Sequence, residues 1–219
     1  VKSIPTLLAY VHITLLIAVT AAIGGIFIGC FIAIMRMHRI PVIDQLLTLF
    51  ISFIRGTPIL VQMFMTCFGV PEILTNLGLD SDLLSPLAYM IIVFTIYVAV
   101  FSGEVIRGAL LSIPHGQIEA AYSLNMSIYK TYEKIIIPQA LLVAMPALIN
   151  TVIGELKATS LAFNVGVMDM VSQAQLMGGF SQRYLELYID IAVIYGVMVY
   201  ILGQVNSVTE KKFGKMYRW

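Results

Sequence analysis

Charge is scarce in this chain. Only 11% of its 219 residues are Asp, Glu, Lys or Arg, against about 25% in soluble proteins, and that deficit excludes an ordinary water-soluble domain. Histidine is scarcer still. His12, His38 and His115 are scattered, and there is no His-Glu-x-x-His, no Gly-x-Ser-x-Gly and no pair of Asp residues inside an apolar run. Intramembrane hydrolysis therefore lacks its side chains, and neither a catalytic nor a metal site is expected. A glycine-rich phosphate cradle is also missing: Lys157 follows Leu156 and precedes Ala158-Thr159, so the chain does not hydrolyse ATP by itself. The net charge of +1 carries no message of its own, and no nucleic-acid partner is expected. There are two cysteines, Cys30 and Cys67, each inside an apolar run. A disulfide needs Cα atoms within about 7 Å, and the topology derived below puts the two near opposite membrane faces. Two free thiols acting as small hydrophobes are expected. With no repeat, low-complexity tract or linker, residues 1–219 read as a single domain.

In place of charge there is apolar length. The chain is 59% hydrophobic, with a mean hydropathy of +0.93. A bilayer core about 30 Å thick takes roughly 20 helical residues, and unsatisfied backbone groups are too costly in lipid for anything but helices or closed barrels. Five spans are predicted: 11–35, 46–69, 87–103, 139–153 and 187–205, making an all-α polytopic membrane protein. Gly24, Gly25 and Gly29 in the first allow close helix approach. Gly56-Thr57-Pro58 interrupts the second. Residues 3–10, with Pro5, are too short to span and are expected along the interface. Residues 70–86 read as a turn-rich connection carrying Glu72, Asp80 and Asp82, and Gly178-Gly179 as a break within a mixed stretch at 161–182. The first run ends in Met35-Arg36 rather than a small-residue cleavage site, so insertion without cleavage is expected.

The basic residues orient the spans. Arg36, Arg39, Arg107, Lys130, Lys134, Lys211, Lys212, Lys215 and Arg218 fall on one side, and Lys2 and Arg183 on the other. The positive-inside bias puts the N-terminus outside and the C-terminus in the cytoplasm, with residues 105–138 as a cytoplasmic loop. In that loop Pro114 ends one segment, residues 118–124 have helix-forming composition, and Asn125 tolerates a left-handed turn. A second helix at 129–135 then leads to Pro138. A helix-turn-helix lying across the cytoplasmic face is predicted.

The loop's lettering is specific. Glu119-Ala120-Ala121 is followed by Asn125, then Ile135, Ile137 and Pro138, a spacing similar to the "EAA…G…I-x-L-P" signature of ABC importer permeases. Arg55-Gly56-Thr57-Pro58, Arg107-Gly108, Ser112-Ile113-Pro114, Gly116-Gln117, Pro138-Gln139-Ala140 and Lys157-x-Thr159-Ser160-Leu161 resemble the polar amino-acid branch of that family. The resemblance covers residues 55–161; the first and last spans agree only in placement. Asn125 stands where the family usually has Gly, Ile137 where it has Leu, and Ala158 where an acidic residue is frequent.

The resemblance implies a permease subunit in the plasma (inner) membrane of a prokaryote. It implies assembly with a second permease subunit, identical or homologous, an ATP-binding-cassette ATPase dimer and an extracellular or periplasmic solute-binding protein. ATP and Mg belong to the ATPase; no cofactor is expected on this chain. Glu119, Ala120, Ala121, Asn125 and Pro138 are the expected ATPase-coupling residues, the alanines offering a small apolar surface and Glu119 a charge that orients it. The implied substrate is a polar amino acid, with cystine, basic amino acids or glutamine in view and the tract 161–175 inclining towards cystine.

Five polar residues in or near the apolar layer complete the candidates. Glu155, Lys157, Thr159 and Ser160 either line the substrate path, meeting an amino acid's ammonium and carboxylate, or sit in outer interface water. An ionised group at depth costs about 2.5–3.5 kcal/mol on insertion scales. Arg55 either faces the pathway, pairs with an acid such as Glu104, or snorkels to the cytoplasmic interface. The same Glu155 and Lys157 would serve ion coupling in the rival class, a secondary amino-acid transporter or channel subunit.

Overall fold

A computed structural model describes residues 3–38, 40–79 and 84–216. Lys2, Arg39 and Arg218 of the charge reading, and Asp80 and Asp82 of the 70–86 connection, lie outside them. The described residues form helices and turns without strands. In chain order the helices are α1 (Ser3–Leu8), α2 (Val11–Met37), α3 (Pro41–Gly56), α4 (Ile59–Phe64), α5 (Val70–Asn76), α6 (Pro86–Leu111), α7 (His115–Ser123), α8 (Ile128–Thr131), α9 (Ile137–Ala158), α10 (Met170–Ser181) and α11 (Tyr184–Met216). Five stretches are long and apolar enough to cross a membrane: Ser3–Met37, Ile59–Asn76, Pro86–Leu111, Ile128–Val165 and Tyr184–Thr209. The all-α, five-span class is as predicted. The boundaries differ, with the first span opening at Ser3, the third ending at Leu111 and the fourth at Val165, and three further differences have a local cause.

Two of the differences share a cause. A π-helical turn at Met65–Gly69 joins α4 to α5, and another at Tyr132–Ile136 joins α8 to α9. Each ends one residue before an X-Pro pair, Val70-Pro71 and Ile137-Pro138. Proline has no N–H to give to the carbonyl four residues back, and here the helix widens by one residue instead of stopping; the Ile137 N–H reaches back to the Tyr132 carbonyl. Residues 70–76, expected in a connection, therefore extend the second span, and the fourth runs through Pro138 instead of starting after it.

The third difference lies at Thr57-Pro58. Both residues are extended, as a residue before proline prefers, so residues 46–56 belong to the separate helix α3 and the second span opens at Ile59. Gln62, 5% exposed, donates from Nε2 to the carbonyls of Ile54 (2.8 Å) and Thr57 (3.0 Å) and to Thr57 Oγ1 (2.9 Å). That side chain satisfies acceptors which the end of α3 leaves open. Gly178-Gly179 marks no break. Both lie inside α10, and the missing Cβ of Gly178 admits the Tyr184 ring, which a Cβ would meet at 2.5 Å. The turn follows at Gln182, φ 57°.

α2 and α6 form the closest pair. A Cβ on Gly25 would lie 2.5 Å from Val98 Cβ and 2.9 Å from the Thr95 carbonyl, and one on Gly29 would lie 2.9 Å from the Ala99 carbonyl. Ser102 Oγ donates to the Gly25 carbonyl at 3.3 Å, the interhelical polar contact that small-residue crossings permit. Around this pair Ile17, Met63, Phe94 and Ala162 join α2, α4, α6 and the 3₁₀ turn Thr159–Val165. Leu7 of α1 is fully buried with Met170 and Leu187, and Ser3 Oγ donates to the Asp190 carboxylate. α1 is thus packed onto α10 and α11.

Glu104 of α6 is paired with Arg36 of α2 and, at 2.9 Å, with Arg107; Arg36 also reaches Asp44 of α3 at 3.3 Å. Glu104 is therefore occupied, and the expected pairing of Arg55 with it is not formed. Arg55, exposed at the end of α3, sits over the Phe101 ring at 5.6 Å, a cation–π contact.

Candidate functional site

The polar loop is a folded hairpin of helices held from beneath. Pro114 is extended and precedes α7. On its inner face Ile118 packs against the cluster of Ala109, Ile113, Ile136 and Ala140, and Ala121, one turn on, is 2% exposed. The helix ends in a left-handed Asn125, φ 60°. There the Asn125 N–H donates to the Tyr122 carbonyl (2.9 Å) and the Met126 N–H to that of Ala121 (3.1 Å), the paired bonds of a Schellman closure. Ser127 then caps α8. Glu119 and Ala120 are exposed, beside a tip where Tyr122, Leu124, Ile128 and Tyr129 are 46–78% exposed.

One expectation changes here. Ala121 does not contribute outward surface: with 3.6 residues per turn, the stripe that keeps Ile118 inside also turns Ala121 inwards. The apolar surface belongs to Ala120 and the tip residues. Pro138 is half-buried within the continuous α8–α9 run, where it sets the widened turn.

The expected membrane polar cluster divides in two. Glu155 is fully buried, as is Thr159 one turn on, whereas Lys157 is exposed and Ser160 partly so. Thr159 Oγ1 donates to the Leu156 carbonyl (2.6 Å) and lies 3.4 Å from the Tyr195 hydroxyl. Ser160 Oγ donates to the Lys157 carbonyl at 2.7 Å. Neither carboxylate oxygen of Glu155 has a hydrogen-bond partner among the described residues. Tyr195 of α11 stands within electrostatic reach of both Glu155 and Asp169.

Thr14, Asp169 and Tyr195 escaped the sequence reading. Their one signal there is polarity inside or beside apolar runs. Asp169, also fully buried, accepts from the Ser172 N–H (2.8 Å) and Ser172 Oγ (2.9 Å) and so caps α10. Burial pushes its carboxyl above the usual aspartate range, and the hydrogen bonds from Ser172 oppose that rise. Beyond Ser172 opens a cavity of about 470 Å³, lined among others by Phe163, Met168, Gln175 and Phe180, within the size range of small-molecule sites.

These features can be set beside known proteins. Residues 25–214 match the family described as "Binding-protein-dependent transport system inner membrane component". The chain is 37% identical over 212 residues to the L-cystine transport system permease protein TcyL of Bacillus subtilis (strain 168), covering 97% of this chain and 89% of that protein. It is 37% identical over 218 residues to the probable amino-acid permease protein YxeN of the same organism, covering 100% and 96%. Among solved structures, the crystal structure of an amino acid ABC transporter with histidines superposes with a TM-score of 0.85 at 32% identity, covering 96% of this chain and 95% of that one.

The match favours an ABC permease over an ion-coupled secondary transporter or channel. It makes the chain a transport component, with ATP hydrolysis on a separate subunit. The chain belongs to the binding-protein-dependent transport system inner membrane component family.

Proposed function

We propose that this permease imports a polar amino acid, with cystine the first choice, and that residues 1–219 work as one transport unit. Likeness to a cystine permease over nearly the full length of both chains carries the substrate class. The partners are an ATPase dimer bearing ATP and Mg, a second permease subunit, and a solute-binding protein that delivers the amino acid from outside. The N-terminus lies outside and the C-terminus in the cytoplasm, which puts α7 and α8 on the ATPase side.

Glu119 and Ala120 meet the ATPase, Asn125 and Pro138 shape the loop that presents them, and Ala121 supports it from within. Glu155 and Thr159 hold the donor groups of the substrate. A fully buried carboxyl with no partner is costly unless something supplies one, and an amino acid's ammonium does so. Lys157, Ser160 and Arg55, on exposed surfaces of the subunit, face the path shared with the second permease.

The direct test is uptake of labelled cystine by proteoliposomes holding the complete complex. Uptake that needs ATP and the solute-binding protein, with competition among polar amino acids, supports the proposal. Uptake that persists without ATP contradicts it.

A further inference from the structure

α7 and α9 are joined covalently through a four-residue turn, the short α8 and a widened π turn. A second, non-covalent connection bypasses it. Gln117 of α7 and Gln139 of α9 exchange two side-chain hydrogen bonds: Gln117 Nε2 donates to Gln139 Oε1 at 3.1 Å, and Gln139 Nε2 donates to Gln117 Oε1 at 2.5 Å. Gln139 Nε2 also donates to the Ile135 carbonyl at 2.9 Å, inside the π turn. Both side chains are half-buried, beside the apolar contacts of Ile118 and Ile135 with Ala140 and Ile136.

The chemistry of this pair is specific. An uncharged amide carries its donor and its acceptor side by side on one planar group, so two face-to-face amides close a ring of two bonds with no ionic cost. Gln139 meanwhile follows Pro138, and its side chain adds a donor to the Ile135 carbonyl within the widened turn. One residue thus ties the widened turn, the base of α9 and the inner face of α7. At its far end α9 carries the buried Glu155.

We propose that Gln117 and Gln139 are positioning residues that clamp α7 to the base of α9, so that a displacement of the loop moves the fourth span instead of being absorbed at Leu124–Ser127. This rests on the reading of α7 as the ATPase-coupling helix. The clamp faces α9, on the side of α7 roughly opposite Glu119, so its loss leaves that docking charge in place and lowers the transport obtained per ATP.

The test uses the complete complex in proteoliposomes and measures ATPase pull-down, ATP hydrolysis and substrate moved per ATP. Gln117→Leu and Gln139→Leu are expected to bind the ATPase like the parent and to move about fivefold less substrate per ATP, the equivalent of about one net hydrogen bond. The double variant is expected to be no worse than either single one, as for two residues acting through one contact. Gln117→Glu, which still accepts from Gln139, is expected to fall between parent and Gln117→Leu. A parental transport-to-ATP ratio in both leucine variants, additive losses in the double variant, or loss of ATPase binding overturns the clamp. Failure of the coupling-helix reading shows separately, as parental binding and coupling when Glu119 and Ala120 are changed.

Discussion

Glu155 and Lys157 lie on opposite sides of α9: the first is fully buried among helices, the second exposed. Two residues of α-helix amount to roughly 200° of rotation, so neighbours in sequence meet different surroundings. Glu155→Gln keeps the shape and removes the charge, and Glu155→Leu also removes the hydrogen bonding. Both are expected to assemble, and uptake is expected to fall at least tenfold, as losing a charge-assisted hydrogen bond of about 1.5–3 kcal/mol implies. Lys157→Met is expected to impair uptake too, with Lys157→Arg retaining more of it. Parental uptake in Glu155→Leu would remove this residue from the substrate path.

Asp169 gives a pH signature outside the spans. Burial, the largest influence, raises its pKa above the ordinary aspartate value, and hydrogen bonds from Ser172 and nearby backbone hold the rise back. The folded state then binds the proton more tightly than the unfolded chain. Stability from this group is fully present below the ordinary aspartate pKa and is lost as pH rises through the raised value. Asp169→Asn, also a good helix cap, is expected to flatten that slope, and Asp169→Ala to lose about 1 kcal/mol of capping as well. Apparent unfolding temperature against pH in detergent measures both. An unchanged slope in Asp169→Asn would contradict the assignment.

The α2–α6 crossing predicts an asymmetry between adjacent glycines. Gly25→Leu forces a side chain into Val98 and the Thr95 backbone, whereas a Cβ on Gly24 meets no backbone and approaches the Thr95 methyl at 3.3 Å. Gly25→Leu is expected to destabilise by about 1–3 kcal/mol or more, and Gly24→Ala to change little. Thermal unfolding of the detergent-solubilised complex tells them apart; equal effects would place the contact elsewhere.

Orientation is checked by labelling. Cysteines at His115 or Ser127, in a background lacking Cys30 and Cys67, are expected to react with impermeant reagents from the cytoplasmic side. One at Gln182, in the exposed turn after α10, is expected to react from outside. Labelling of position 127 in intact cells would reverse the topology.

Hydropathy and spacing made the helical class, the number of spans and the turn at Asn125 legible, because each depends on local composition or on one residue's backbone tolerance. What escaped depends on partners distant in sequence. Residues 70–76 read as a connection and Pro138 as the boundary before the fourth span, yet surrounding helices let the chain widen and continue. Glu104 looked free for Arg55, but α2 brings Arg36 to it. Gly178 looked like a break because nothing local shows the Tyr184 ring it admits. Tyr195 lies far from Thr159 in sequence and meets it only when α11 packs against the end of α9. The inward turn of Ala121 was readable from its spacing to Ile118, but Glu-Ala-Ala considered as a triplet hid it.

The coupling role of α7 is tested most directly by pairing ATPase pull-down with substrate-stimulated ATP hydrolysis in Glu119→Ala and Ala120→Trp. Overfilling a fitted contact costs on the order of 1–3 kcal/mol, and removing an interfacial charge whose partner stays buried costs about 2–5 kcal/mol. Both changes lie on exposed positions, so the membrane helices are expected to remain folded, whereas Ala121→Trp, at a buried site, is expected to disrupt the loop itself. The expected result is weakened ATPase binding, or hydrolysis no longer stimulated by substrate, in both exposed-site variants. Parental binding with hydrolysis still in step with transport in both would show that α7 is not where the ATPase drives this permease.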